Sequence, residues 1–588
     1  MRQTPKSEST EAGAPFASRR RFLKQIAGLG GGALAAAILQ ACGGSPAPAA
    51  APTSAPAAAA PTSAPAAAAP TSAPAAAAPT AEAGAAPTAM ADAATSAPAA
   101  GGAARGGKLN WAMNGDPVSL EPFGINTTGQ YNYEARELIY DSLLYWDKDL
   151  KVQPGLAESF ETPDDTTYVF KLRSGVKFHN GKELDAEDVK YSLETVITPP
   201  DGKNPGAGFF TNFDKIEAVD KQTVKITMKK VDPTIPGLFS WSRYTSIVPK
   251  DMATSLNAAT EAIGTGPFKL VSYTPNKEVV YTRNTEFWNP DLPRVDEMTY
   301  QVITDEDARI AALRSGAIDG CDVSALGARR LEGEQSITIY KGLFAQPKVL
   351  QMTLRGGQPW DKKEVRQAMN LAINRQELIE KVAEGEAVLT GPVVPGYGDW
   401  ALPDARLQEL YAFDLEKAKQ LMTQAGHADG FSVTALTFTG YANDNAVVVQ
   451  EQLKQLNIDM KIEQIEFGTF AQRVSNGEYD WVFTARGMRA DVSGFVNDFR
   501  RLGIAADKWF PAWKNEELEK AYDDGMATLD QAARKPFFDK VQELTIEESP
   551  HIYLYQDYRF SAVNNKVKDY YVAFTTFRPS LREVSVEA

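Results

Sequence analysis

The sequence predicts an α/β fold of more than one lobe, carried behind an unstructured N-terminal arm. Three observations predict it. First, 588 residues are too many for one ordinary hydrophobic core. Second, Ser432–Phe438, Asp444–Leu456 and Ile458–Ile465 read in order as an alternating strand, a helix and an alternating strand. Such a βαβ unit requires parallel strands with a right-handed crossover. Third, the chain from residue 43 to about 107 is almost devoid of Leu, Ile, Val and aromatic residues. It has too little apolar surface to offset the entropy of ordering.

The N-terminal 41 residues read as a targeting segment. Ser18-Arg19-Arg20-Arg21-Phe22-Leu23-Lys24 resembles the twin-arginine export signal, with Arg19 and Arg20 as its pair. An apolar stretch from Gln25 to Ala41 follows, short for a permanent membrane span. It ends Leu39-Gln40-Ala41-Cys42, which resembles a lipobox, so Cys42 is the expected lipidated residue. Gly28-Leu29-Gly30 follows no strand and carries no nucleotide-binding signal. The tether, 42–106, contains Pro-Thr-Ser-Ala-Pro-Ala-Ala-Ala-Ala three times in tandem, at 52–60, 61–69 and 70–78. Proline at that frequency prevents the helix that alanine favours. About 64 such residues reach ~200 Å fully extended and average ~45 Å as a coil.

Order is expected from near Lys108. Tyr168–Leu172 and Val224–Met228 alternate as half-buried strands. Asp361 to Glu384 reads as one long helix, started by a capping-box-like Asp361/Glu364 pair and stopped by Gly385. Asp414 to Ala425 reads as a second, stopped by Gly426. A strand from Tyr479 to Thr484 leads into the loop Ala485-Arg486-Gly487-Met488-Arg489-Ala490-Asp491. In open α/β sheets ligands lie outside the carboxyl ends of strands, so this loop is the first candidate for a ligand wall.

Composition excludes several classes. A net charge of −14 opposes nucleic-acid binding. Two cysteines, Cys42 and Cys321, make no disulfide framework. The three histidines, His179, His427 and His551, are too far apart for a paired metal motif, and no metal or cofactor is expected. Gly175 to Lys182 departs from a phosphate loop, being one residue too long and having Glu183 for the Ser/Thr. No Gly-x-Ser-x-Gly elbow exists, so an enzyme is not expected.

Over 107–575 a series of segments resembles the family 5 extracellular solute-binding proteins of ABC importers. These are Gly107-Lys108-Leu109, Asp116-Pro117-Val118-Ser119-Leu120-Glu121-Pro122 and Pro154-Gly155-Leu156-Ala157-Glu158-Ser159-Phe160. The longest is Phe170-Lys171-Leu172-Arg173-Ser174-Gly175-Val176-Lys177-Phe178-His179-Asn180-Gly181, continued by Leu184-Asp185-Ala186-Glu187-Asp188-Val189. Then come Ile263-Gly264-Thr265-Gly266-Pro267-Phe268, Arg283-Asn284 with Phe287-Trp288, and Val365-Arg366-Gln367-Ala368-Met369-Asn370.

The resemblance implies a two-lobed periplasmic-binding-protein-like fold that closes on its solute. Lobe I is expected at 107–123, 213–267 and 557–588, with a subdomain at 124–212, and lobe II at 268–556. Hinge crossings are expected near Gly266, with Gly264 and Pro267, and near Tyr553. The resemblance also implies a monomer on the outer face of the cytoplasmic membrane that serves permease and ATPase subunits. Asp491 occupies the position where peptide binders pair with the ligand's α-ammonium. Gly487, Met488, Arg489 and Trp400 are the expected companions. The competing reading of Asp491 is a helix cap or a partner for Arg489 or Arg486. Gly487-Met488 replaces the usual Gly-Trp, and Val492-Ser493-Gly494 lacks the usual proline. The same fold also hosts oligosaccharide, haem and nickel-chelate binders. A tethered adhesin or a hydrolase is the remote alternative.

Overall fold

The computed structural model describes residues 105–123, 130–198, 207–250, 252, 261–438, 443–487, 489, 491–496, 506–575 and 579–587. Arg19, Arg20, Cys42, the tether and Met488 lie outside the described residues. Among the described residues no helix is long and apolar enough to cross a membrane.

A mixed sheet of twelve strands forms the frame. In its first half, Lys108–Met113 runs parallel to Glu297–Val302 and to Gly320–Val323. Phe268–Thr274 and Glu278–Arg283 extend this half as an antiparallel meander. Alternation sets its two faces: Leu109, Trp111 and Met113 enter one core and Ala112 another. Gly320 is required here, because a Cβ on it would lie 2.2 Å from the Trp111 ring.

In the second half, Phe431–Phe438 lies between Ile458–Ile465 and Trp481–Ala485, parallel to both. The expected βαβ unit is therefore present, with the helix Asn443–Leu453 as its crossover. Lys348–Met352 pairs antiparallel with Trp481–Ala485. The strand His551–Asn564 belongs to both halves. Its beginning pairs with Lys348–Met352, and its end with Gly320–Val323 and Ile337–Leu343.

These pairings correct the expected boundaries. Residues 268–343 belong with Lys108–Met113, so lobe II begins near Lys348 rather than at 268. Phe213–Asp220 and Thr223–Met228 complete a four-stranded antiparallel sheet with Ala157–Asp164 and Thr167–Leu172, so they belong to the subdomain. The helix Ala186–Ile197 accompanies this sheet. Its capping box is made by Asp185 and Asp188, which explains the Leu184–Val189 motif.

The long helix expected over Asp361–Glu384 is two helices, Lys363–Ala372 and Arg375–Lys381. Asp361 bonds back to the Gln358 N–H at 2.6 Å, and Asn374 caps the second helix through the Glu377 N–H. Gly385 does follow in a left-handed conformation, φ 81°.

The hinge expectation is also corrected. Gly264 and Gly266 lie against the subdomain, where a Cβ would stand 2.1 Å and 2.5 Å from backbone atoms of Ile139. The Gly266 N–H donates to the Ile139 carbonyl at 2.8 Å. The Pro267 carbonyl accepts from the Asn284 N–H at 2.8 Å. His179 clamps the same segment, with Nε2 3.0 Å from the Gly266 carbonyl oxygen and Nδ1 accepting from the Gly264 N–H at 3.4 Å. One neutral tautomer satisfies both contacts, and burial pushes the His179 pKa down to about 4. This segment is a fixed seam. The chain crosses between lobes at 344–347, and again where His551–Asn564 changes partners near Tyr555–Tyr558. Beside the second crossing, Lys348 pairs with Asp557 at 2.8 Å.

Candidate functional site

The loop after Trp481–Ala485 stands at the carboxyl end of its strand, as expected. Arg486 anchors it: its N–H donates to the Pro347 carbonyl at 3.0 Å, beside the first crossing. A Cβ on Gly487 would meet nothing within 4 Å, so the loop borders open space there. The Arg489 Nε donates to the Gly494 carbonyl at 3.2 Å.

Asp491 is already engaged. One carboxylate oxygen accepts from Arg534 at 2.7 Å and the other at 3.2 Å. The Ser493 N–H adds a contact at 2.9 Å. The Asp491 side chain is 15% exposed and that of Arg534 only 2%. Its ion-pair partner is thus neither Arg486 nor Arg489 but a residue 43 positions away. Arg534 lies on the buried stripe Arg534, Phe538, Val541 and Thr545 of the helix Gln531–Glu548. A cation on an apolar stripe was the sequence signal for it.

Trp400 joins this group. The Arg534 guanidinium lies 5.3 Å from the Trp400 ring and 5.2 Å from that of Phe538. The Trp400 carbonyl accepts from Gln542 at 2.9 Å. Tyr397, not singled out by the sequence, contacts Phe495 edge-on at 5.2 Å, and its hydroxyl donates to the Arg489 carbonyl. Asp491, Arg489 and Trp400 therefore meet in one region, with Tyr397 and Arg534 added.

The first lobe closes over this region. Phe574 meets Tyr397 at 5.5 Å and packs on Gly396, where a Cβ would be 1.9 Å from its ring. Tyr168 of the subdomain lies within electrostatic reach of Arg534 and Asp491, and burial pushes its phenol up. Burial, and behind it Arg486 and Arg243, push Arg489 down; Arg243 belongs to the subdomain side. A single apolar cluster runs from Phe170 and Phe239 in the subdomain to Trp481 and Phe495 in lobe II. A cavity of about 100 Å³, lined by Tyr145, Trp146, Trp288, Tyr571 and Glu583, lies in the first lobe and shares Phe574 with this region. Among the described residues, no group of three or more His, Cys, Asp or Glu could hold a metal ion.

Known proteins resemble this chain in sequence and in fold. The sequence matches the bacterial extracellular solute-binding proteins, family 5 middle, over residues 151–503. It is 27% identical over 498 residues to di/tripeptide-binding protein 1 of Pseudomonas aeruginosa, covering 77% of this chain and 90% of that protein. It is 26% identical over 497 residues to the glutathione-binding protein GsiB of Salmonella paratyphi A, covering 78% and 91%. Among solved structures, DppA of Helicobacter pylori in complex with the peptide STSA superposes with a TM-score of 0.73 at 26% identity, covering 82% of this chain and 99% of that one. AgaA from A. tumefaciens R10, in complex with agropinic acid, gives a TM-score of 0.72 at 26% identity with the same coverage. The family match spans more than half of the chain, and the neighbours share its two-lobed α/β architecture. This chain therefore belongs to the family 5 bacterial extracellular solute-binding proteins.

Proposed function

We propose that the chain is the lipid-anchored, solute-capturing subunit of an ABC importer, and that it takes peptides or similar amine-bearing solutes between its lobes. The observation that supports this best is the meeting of the Gly487–Asp491 loop with Trp400, Tyr397 and Arg534 opposite Phe574 and Tyr168. A carboxylate offers about four acceptor positions. Arg534 takes two of those on Asp491 and the Ser493 N–H a third, leaving one for a solute ammonium. Relatives named for di/tripeptides, glutathione, a peptide and agropinic acid agree with a small amide- or carboxylate-bearing solute. The two crossings, 344–347 and Tyr555–Tyr558, are the chain passages about which the lobes would rotate. The loaded, closed form is then delivered to the permease, which works with a separate ATPase.

A thermal-shift panel on the full chain tests the solute class. Di- and tripeptides should raise the melting temperature, because a solute at 100 times its Kd stabilises by about 2.7 kcal/mol. Stabilisation only by an oligosaccharide, haem or a nickel chelate would replace the peptide reading. Anchoring is tested by Cys42→Ser, which should release the protein from membranes or leave it unprocessed. Arg19→Lys with Arg20→Lys should strand it in the cytoplasm.

A further inference from the structure

The cavity of about 100 Å³ in the first lobe is built apart from the 487–491 loop. Among the described residues, none that lines it lies between 344 and 556, so lobe II takes no part in its walls. Tyr145, Trp146, Trp288 and Tyr571 supply aromatic walls, and Tyr145 is 40% exposed, which puts part of the wall at the surface. Four carboxylates border the cavity, those of Glu137, Asp141, Asp147 and Glu583, against two cations, Lys148 and Arg582. Both cations are committed: Arg582 pairs with Asp141, and Lys148 with Asp149 at 2.9 Å. Asp141 also accepts from the Trp288 indole at 3.0 Å. Asp147 accepts from the Asp149 and Lys151 N–H groups, each at 2.9 Å, and from Gln153 at 2.8 Å. Glu583 differs from these two. Arg294, beside it, donates to Asp569 at 2.7 Å and to the Glu583 backbone carbonyl at 2.9 Å, not to its carboxylate. Among the described residues the half-buried Glu583 carboxylate has no hydrogen-bond or ion-pair partner. It lies within electrostatic reach of two of the wall phenols: burial first, and Glu583 next, push Tyr145 and Tyr571 up.

We propose that this cavity is a second binding site, separate from the interlobe cleft, and that it takes a small organic cation, a primary ammonium on one ring or on a short apolar chain. The ammonium meets the Glu583 carboxylate, and the ring or chain lies against Tyr145, Trp146 and Tyr571. A carboxylate held partly out of water without a cation is costly, and an arriving ammonium offsets that cost. Aromatic faces carry the negative side of the ring quadrupole, so they favour the same charge. An anion would meet an excess of carboxylates whose neighbouring cations are already taken. A cavity of about 150 Å³ can hold benzene, so one ring sets the upper size here. Because every described wall residue belongs to the first lobe, the site is complete whether the lobes are open or shut. Its occupation therefore requires no closure, unlike capture of a solute between the lobes.

Calorimetry on the full chain at pH 7 with benzylamine, benzyl alcohol and benzoate tests this. Wild type should bind benzylammonium about tenfold or more tightly than the alcohol, as expected for one charge-assisted contact, and should not bind benzoate. Glu583→Gln should reduce that ratio to about twofold or less while leaving the alcohol nearly unchanged. Glu583→Asp should keep part of the preference, which separates recognition from loss of folding. Saturation with benzylamine should leave the radius of gyration unchanged. Equal wild-type affinities for the amine and the alcohol, or binding of neither, would overturn the cation site. A preference that survives Glu583→Gln, or a smaller radius of gyration with benzylamine, would overturn it too, by placing the amine elsewhere. All of these readouts are independent of whether the cleft takes peptides.

Discussion

Replacing Asp491 by Asn should unfold part of the balance that holds lobe II together, before any solute is considered. Asn keeps the shape and can still accept from the Ser493 N–H. It removes the anion from Arg534, whose side chain is 2% exposed. Breaking a buried pair by removing one partner costs about 3–5 kcal/mol, because the remaining charge is uncompensated. A domain's total stability is only about 5–15 kcal/mol, so the loss should be obvious. Arg534→Met should be better tolerated, since an unbranched apolar chain can pack between Trp400 and Phe538. The double variant, Asp491→Asn with Arg534→Met, should recover to within about 1 kcal/mol of wild type, giving a coupling of about 3 kcal/mol. Urea titrations followed by tryptophan fluorescence would measure all four corners of the cycle. A single Asp491→Asn variant as stable as wild type would refute the structural role of the pair. In that case the carboxylate would be available to a solute ammonium at full strength.

Three further expectations follow from the geometry. Stability should fall as pH drops from about 6.5 toward 4: over that window an unfolded chain protonates His179 while the folded one keeps it neutral. The contribution is at most about 3 kcal/mol, and His179→Asn should flatten this part of a pH series of urea midpoints. Gly396→Ala should push Phe574 away from lobe II, lowering the melting temperature and weakening peptide binding together. Salt should loosen closure, because Arg329–Glu384 and Lys341–Glu386 join the lobes through half-exposed ion pairs; scattering in 0.05 M and 1 M salt would register this as a larger radius of gyration at high salt.

Local patterns were the legible part of this chain. The Ser432–Ile465 unit alternates cleanly, and Asp414, Gly426 and the Asp185/Asp188 box sit where capping rules put them. What the sequence hid was non-local. Nothing local to Phe268–Val302 shows that it pairs beside Lys108–Met113, more than 150 residues earlier. The glycines at 264 and 266 read as freedom, yet they are needed for close approach to Ile139. Asn374 looked like one more residue within a long helix, but its side chain caps a new one. At the site, strand-end logic pointed to the 487–491 loop, and the family resemblance pointed to Trp400. The partner of Asp491 came from the helix Gln531–Glu548, 43 positions further along the chain. Arg534 is an arginine whose burial, not whose motif, marks it.

Small-angle scattering of the full chain with and without saturating Met-Leu tests the central claim, that the two lobes close on a solute around 344–347 and Tyr555–Tyr558. The account predicts a smaller radius of gyration and a shorter maximum dimension in the folded part when the peptide is present. Identical profiles, under conditions where calorimetry shows the peptide bound, would contradict it and make the molecule a rigid binder.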